Sequence, residues 1–164
     1  MKKHTVNHPF HPISDERSSV LILGTMPSIK SLEAGFYYAH PRNRFWPVVT
    51  VCFGEQTPET VEERIRLLLS NGLALWDVVA NCEVSGSEDS SISNPVYNDI
   101  SKLVTGKLIR KVLCNGKKAY NLCRRLDLPV TVLCMPSTSP ANASWSTERL
   151  IEVLKLELTE SRPG

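Results

Sequence analysis

Val20-Leu21-Ile22-Leu23-Gly24-Thr25-Met26-Pro27-Ser28 is the stretch that decides the fold. Four apolar residues in a row, with no polar alternation, fit a strand buried on both faces, as in a parallel sheet. The run stops at a glycine and opens into a polar loop. Three more runs share this character: Leu73-Ala74-Leu75-Trp76-Asp77-Val78-Val79, Val112-Leu113-Cys114 and Val130-Thr131-Val132-Leu133-Cys134. Helical patterns separate them. Thr57 is an N-cap candidate with Pro58 at the first helical position. Val61, Ile65, Leu68 and Leu69 follow on one face, and Gly72 makes a stop. Asn98 is placed to cap a helix carrying Ile100, Leu103 and Val104. Ala119, Leu122, Cys123 and Leu126 mark a short helix after Gly116. A final helix runs from about Ser146, with Leu150, Ile151, Leu154 and Leu158 inward. Strands alternating with helices imply a three-layer α/β/α fold around a central, mainly parallel four-stranded sheet. A single domain over residues 1–164 is expected, with residues 1–17 as an irregular lead-in. The Ser-rich stretch from Cys82 to Asn94 reads as an exposed loop. Ligands bind beyond the carboxyl ends of the strands in such sheets. Three polar loops fall there: Gly24 to Ser28, Asn115 to Lys118, and Met135 to Asn142.

The composition sets limits on function. The chain has 164 residues, 41% of them hydrophobic and 22% charged, which suits a water-soluble globule. No apolar run approaches the roughly 20 residues of a membrane span, and no apolar signal core follows Met1-Lys2-Lys3-His4. A cytoplasmic protein without membrane partners is expected. The five cysteines (Cys52, Cys82, Cys114, Cys123 and Cys134) form no C-x-x-C pair. They read as reduced, buried thiols, and no metal site is expected. Net charge is only +2, but eight basic and no acidic residues lie between Lys102 and Arg125. Such asymmetry allows a cationic face for phosphates, with ordinary solvated helix surface as the structural alternative.

A second window carries the chemistry: Phe36-Tyr37-Tyr38-Ala39-His40-Pro41-Arg42-Asn43-Arg44-Phe45-Trp46-Pro47. It holds five aromatics, two arginines, a histidine and an asparagine. That mixture suits a pocket that stacks a planar ligand such as a nucleobase, reads its edge and holds a phosphate nearby. The alternative is a helix start whose aromatics face the core. Phe45 and Trp46 fit the core better than the pocket, and a backbone hydrogen bond suits His40 better than a phosphate.

Taken together, these segments resemble the uracil-DNA glycosylase superfamily, and most closely its hypoxanthine-DNA (DNA-deoxyinosine) glycosylase branch. Gly24-Thr25-Met26-Pro27-Ser28 is similar to the superfamily's first motif, a Gly-x-x-Pro loop after the first strand. The stretch Ser31 to Gly35 followed by Tyr37 to Trp46 looks like the segment of that branch, and mismatch-specific uracil glycosylases carry a similar run. Met135 to Asn142 resembles the second motif. The likeness extends from about Val20 to Leu154. It implies a glycosylase that hydrolyses the N-glycosidic bond of deaminated bases in DNA, hypoxanthine first and uracil second. It also implies no cofactor, because the nucleophile is water. The alternatives are a mismatch-specific uracil/thymine glycosylase and an inactive nucleic-acid-binding member of the fold.

The residue roles follow from the likeness, and so do its limits. Met26 stands where mismatch-specific relatives carry an Asn, and Met135 where a His or Asn often supports the departing base. In the hypoxanthine branch the Asn of the His-Pro-x-Asn segment is thought to position the water, which implies Asn43. The loop Gly24, Thr25, Met26 and Pro27 and the ring of Tyr38 would bind the base. Ser137, Thr138, Ser139 and Pro140 would approach the DNA backbone, with Lys117 and Lys118 as further phosphate contacts. The chemistry is compatible: a flipped nucleotide needs its departing base stabilised and a water placed beneath C1′. Backbone N–H groups serve the first need, and an amide can hold a water. The competing reading of Asn43 is a cap for the helix through Phe45 and Trp46. Asp77 could be a second polar group of the site, though a structural cap suits it better. A monomer acting on DNA is expected.

Overall fold

A computed structural model describes residues 4–84 and 92–159. The elements in chain order are β1 (His4–Asn7), β2 (Val20–Gly24), α1 (Ile29–Ala34), α2 (Phe45–Phe53), α3 (Val61–Ser70), β3 (Leu73–Asp77), β4 (Val79–Val84), β5 (Ser93–Tyr97), α4 (Ile100–Gly106), β6 (Lys111–Asn115), α5 (Lys117–Cys123), β7 (Thr131–Met135) and α6 (Thr147–Thr159). The four expected apolar runs form one parallel sheet in the order β3-β2-β6-β7. Its residues alternate between two cores. Val20, Ile22, Leu73, Leu75 and Leu113 pack on the side of α2 and α6, while Leu21, Leu23, Ala74, Val112 and Cys114 face the opposite core with Ile100, Val104 and Leu122. An uninterrupted apolar run is what a strand between two such layers requires.

A second sheet, antiparallel in the order β1-β4-β5, was not expected from the sequence. Asn81, Glu83 and Asn94 give β4 and β5 a polar, half-exposed character, and Pro95 lies inside β5. Strands of that kind lack the apolar signal that identified the others. The expected loop from Cys82 to Asn94 therefore divides. Its ends belong to β4 and β5, and residues 85–91 lie outside the described residues.

The described part of the lead-in, irregular over most of its length, contains one strand and one bridge. β1 pairs with β4, and Ile13 exchanges two backbone hydrogen bonds with Leu75, each 2.9 Å, on the edge of the parallel sheet. Trp76 Nε1 donates to the Phe10 carbonyl and the Tyr37 hydroxyl to the His11 carbonyl. This segment covers the β3 edge, which would otherwise offer unpaired backbone groups.

The helix caps differ in detail. α3 is capped by Thr60, whose side chain accepts from the Glu63 N–H, rather than by Thr57. α4 is capped by Asp99, while Asn98 donates to the carbonyls of Asp77 and Val79. Cys134 is exposed, whereas the other four thiols are buried. Lys111 does not contribute to a cationic face: it is buried and paired with Glu157 at 2.6 Å.

Candidate active site

The parallel sheet delivers one polar or small residue at the carboxyl end of each strand to the same edge: Gly24 from β2, Asp77 from β3, Asn115 from β6, and Ser137 just beyond β7. These residues line a cleft of about 530 Å³. The loop Thr25 to Ser28 forms one rim, Ser137, Thr138, Ser139 and Ala141 form the other, and Tyr37, Tyr38 and Asn43 close the space between them. Of the residues expected in the site, Gly24, Thr25, Met26, Pro27, Tyr38, Asn43, Ser137, Thr138 and Ser139 are brought together. Pro140, Lys117 and Lys118 are exposed and lie outside its lining.

Gly24 is demanded by its neighbours. A Cβ at this position would stand 2.3 Å from Asp77 Oδ1 and 2.7 Å from the Tyr38 hydroxyl, far inside van der Waals contact. The glycine lets the carboxylate and the phenol converge on the loop. Tyr38 itself has φ of 51°, a left-handed conformation that costs an ordinary side chain about 1–2 kcal/mol. Its ring stacks on Phe45 at 4.1 Å between centroids with 13° between planes. Phe45 and Trp46 are in the core, as expected. Tyr37 belongs to the core too. Burial, with the Asp77 carboxylate and Tyr38 beside it, pushes its phenol far above the ordinary tyrosine range.

Asp77 is 3% exposed. His8 Nε2 lies 2.8 Å from its Oδ2, and the two side chains are 1% and 4% exposed. Asp77 is therefore a buried carboxylate on the cleft wall rather than only a strand cap.

Asn43 lies at the head of a hydrogen-bonded chain. Asn115 Nδ2 donates to Thr138 Oγ1 at 3.0 Å, and Thr138 Oγ1 donates to Asn43 Oδ1 at 2.9 Å. The Phe45 N–H donates to the same Oδ1 at 2.9 Å. Both lone pairs of that oxygen are thus occupied, which fixes the amide and leaves Nδ2, a donor, for the cleft. Arg44 holds the N-cap position of α2 and makes no side-chain cap, so Asn43, one residue before it, satisfies the first helical N–H while lining the cleft. An amide so arranged can anchor the oxygen of a water or donate to a base, but it cannot accept a proton from the water. Holding a water by two hydrogen bonds, one of each kind, is not available to it.

Thr138 also differs from expectation. It is 2% exposed, its N–H donates to Asn115 Oδ1, and its carbonyl accepts from the Arg44 N–H. Every polar group it has is engaged inside the protein, so it is not placed for a phosphate. Arg44, read as one of two arginines near a phosphate, instead pins the second loop, donating to the carbonyls of Ser139, Asn142 and Trp145. Ser137 and Ser139 hydroxyls accept from the N–H groups of Ser139 and Ala141, the local turns that serine hydroxyls favour. Gly116, at φ of 99°, has Ser137 Cβ 3.2 Å from where its own Cβ would sit, which lets the two loops touch. His40 Nδ1 accepts from the Arg42 N–H, a structural role. Met135 lines the apolar space beneath α2 and α6, not the cleft.

The sequence reading missed the roles of Asn115, His8 and Arg44. Asn115 carried a signal: it ends an apolar run at the same position as Gly24 and Asp77. His8 carried little, because a His-Pro-Phe lead-in has no periodicity.

No cluster of three or more metal-binding side chains occurs among the described residues, and no described helix is long and apolar enough to cross a membrane. Burial and a thiol–thiol hydrogen bond to Cys123 raise Cys114 above the ordinary thiol range, with the hydrogen bond the larger cause. That is the behaviour of a packed thiol, not a nucleophile.

This geometry agrees with the comparisons. Residues 11–157 match the family model of the uracil DNA glycosylase superfamily, and the chain belongs to that family. A hypoxanthine DNA glycosylase of Methanosarcina acetivorans is 34% identical over 149 residues, covering 88% of this chain and 93% of the relative. Another of that name, from Methanosarcina barkeri, is 35% identical over 112 residues, covering 67% and 71%. The solution NMR structure of a candidate uracil DNA glycosylase from Methanosarcina acetivorans superposes with a TM-score of 0.79. It is 32% identical, and the match covers 96% of this chain and 99% of that one.

Proposed function

We propose that the protein is a monofunctional DNA glycosylase that releases hypoxanthine from deoxyinosine in DNA and leaves an abasic site. The observation that carries this reading is the convergence in one cleft of a stacking ring (Tyr38), an acceptor-only carboxylate (Asp77) and an outward-facing amide donor (Asn43). The name shared by the two relatives agrees with it.

The nucleotide must leave the helix to reach such a cleft, since C1′ is inaccessible within the stack. Tyr38 offers a face for the base, worth roughly 1–3 kcal/mol per stacked base. Asp77 reads an N–H on the base edge. As the C1′–N9 bond breaks, its electron pair stays with the base, and backbone N–H groups of the Gly24 to Ser28 loop meet the growing negative charge. The sugar becomes oxocarbenium-like. A water anchored through its oxygen by Asn43 Nδ2 adds a lone pair to C1′ and loses its proton to solvent, while the freed base takes up a proton. A transition state this dissociative asks position of the water rather than deprotonation, which suits an amide. Ser137 and Ser139 lie against the strand, with Pro140 at the exposed tip of the loop and Lys117 and Lys118 as outlying phosphate contacts. The enzyme acts as a monomer in the cytoplasm.

Single-turnover cleavage of oligonucleotides that differ in one base tests the reading. Abasic product is expected from deoxyinosine, with slower release from deoxyuridine because Met26, on the cleft lining, supplies no side-chain donor to the uracil anion. Binding without product would identify a non-catalytic member of the fold.

A further inference from the structure

His8 comes from the lead-in, far in sequence from the motifs, yet it is built into the wall of the cleft. Its backbone N–H donates to the Ala80 carbonyl at 2.7 Å, which ties the segment to β4. Its ring sits edge-on to Phe10 at 5.5 Å between centroids and 5.9 Å from Tyr37. The Phe10 N–H donates to His8 Nδ1 at 3.2 Å. A nitrogen that accepts a hydrogen bond carries no proton, so the ring proton is on Nε2, and Nε2–H is what meets Asp77 Oδ2 at 2.8 Å. The second oxygen, Oδ1, is the one that stands against Gly24, where the Tyr38 hydroxyl also converges, and both residues line the cleft. The Tyr37 hydroxyl, also close, donates elsewhere, to the His11 carbonyl. Asn98 supports the same residue from behind, donating to the Asp77 carbonyl at 2.8 Å.

We propose that His8 is a positioning residue for base selection: it orients the Asp77 carboxylate so that Oδ1 accepts the ring N–H that deamination creates on a purine. The inference rests on the glycosylase reading above and extends it to how the substrate is told from its parent. Adenine presents a lone pair at N1. Deamination to hypoxanthine turns that position into an N–H donor. A carboxylate is acceptor-only, so it welcomes the lactam edge and repels the adenine edge. Buried polar groups that lose their partner discriminate strongly, whereas apolar pockets do not. Discrimination of this kind needs the carboxylate held in one orientation, and an imidazole locked by Phe10 and Ala80 provides that. The N-terminal segment is then part of the specificity apparatus rather than a lead-in.

The test uses the full chain with His8→Phe, His8→Gln, Asp77→Asn and the double variant His8→Phe/Asp77→Asn. Two quantities are read for each: single-turnover release of hypoxanthine, and binding of non-cleavable duplexes carrying 2′-fluoro-deoxyinosine or 2′-fluoro-deoxyadenosine, followed by fluorescence anisotropy. His8→Phe is expected to lower release about 10- to 100-fold and to erase most of the inosine-over-adenosine preference, the size of one hydrogen bond to a charged group. His8→Gln places an amide N–H near the Nε2 position and is expected to recover both within a few-fold. In the Asp77→Asn background, His8→Phe should add little, because a residue acting through another shows coupling, not additivity. Equal losses from His8→Phe in both backgrounds would overturn the proposal and make His8 a packing residue. So would an unchanged base preference in Asp77→Asn, which is decisive even where His8→Phe does not fold. Wild-type protein that prefers the inosine analogue yet releases no base would sink the glycosylase reading while leaving His8 supported on binding. Wild-type protein with no such preference would sink the His8 assignment itself.

Discussion

The two walls of the cleft are built on different principles. On one side Gly24, Tyr38 and Asp77 are set by steric demand: the carboxylate and the phenol occupy the space a Cβ would need, and Tyr38 is held in a left-handed conformation between its neighbours. On the other side Asn43, Asn115, Thr138 and Arg44 are set by hydrogen bonds that occupy the Asn43 oxygen twice and leave Nδ2 as the amide's donor on a residue that lines the cleft. The first wall shapes a space and gives it a charge. The second presents an amide donor. A site that must both recognise a base and place a water gains from keeping these tasks on separate walls, because a change in one need not misplace the other.

The sharpest way to break this comparison is Asn43→Ala. Loss of the Asn43 amide donor is expected to slow hypoxanthine release by about 100- to 1000-fold, the scale of a missing transition-state donor. It should also cost about 1 kcal/mol of stability, since the Phe45 N–H loses its acceptor. Single-turnover kinetics and thermal melting together check it. A normal rate with a lowered melting temperature would reduce Asn43 to a cap.

Gly24→Ala probes the steric wall. The methyl must displace Asp77 or Tyr38, so base release is expected to fall at least about tenfold and stability by about 1–3 kcal/mol, as in other overpacked sites. Wild-type kinetics in this variant would show that the convergence on Gly24 has no functional weight.

Thr138→Val tests the polar wall at its centre. The substitution keeps the shape but removes the hydroxyl between Asn115 and Asn43, leaving buried groups without a partner at about 1–3 kcal/mol. Melting should show the loss. The rate should fall less than in Asn43→Ala, because the Phe45 N–H still orients the amide.

The smallest effect is expected outside both walls. Lys117→Ala combined with Lys118→Ala should weaken all duplexes alike and flatten the salt dependence of binding by about one unit for each phosphate the two lysines neutralise. Base preference should not change. An unaltered salt slope would assign these lysines to ordinary solvent.

Legibility in the sequence followed burial. The parallel sheet could be read because its strands lie between two apolar layers and announce themselves as unbroken runs. The second sheet could not, since Asn81, Glu83, Asn94 and Pro95 give it the composition of a loop. The roles expected of Asn43 and Tyr38 rest on the likeness to the glycosylase family rather than on the composition of the window around them. Thr138 is expected near DNA because small hydroxyls suit phosphate contacts, and only its partners Asn115, Asn43 and Arg44 reveal a buried hub. Arg44 shows the same limit: a guanidinium beside aromatics suits a phosphate by composition, but it donates to three backbone carbonyls.

The sequence by itself determined the four apolar runs that become the parallel strands, the glycine-proline loop after the first of them, the placement of polar residues at strand ends, and the likeness to one glycosylase family. These are local properties, written in periodicity, turn chemistry and short motifs. Tertiary structure alone decided which polar groups remain available to a ligand. Whether the Asn43 oxygen or nitrogen faces the cleft depends on a threonine 95 residues away. That Asp77 stands as a buried carboxylate with one oxygen at the cleft depends on a histidine 69 residues away. Hydrogen-bond donors and acceptors saturate pairwise in space, and no pattern along the chain records which pairs have formed.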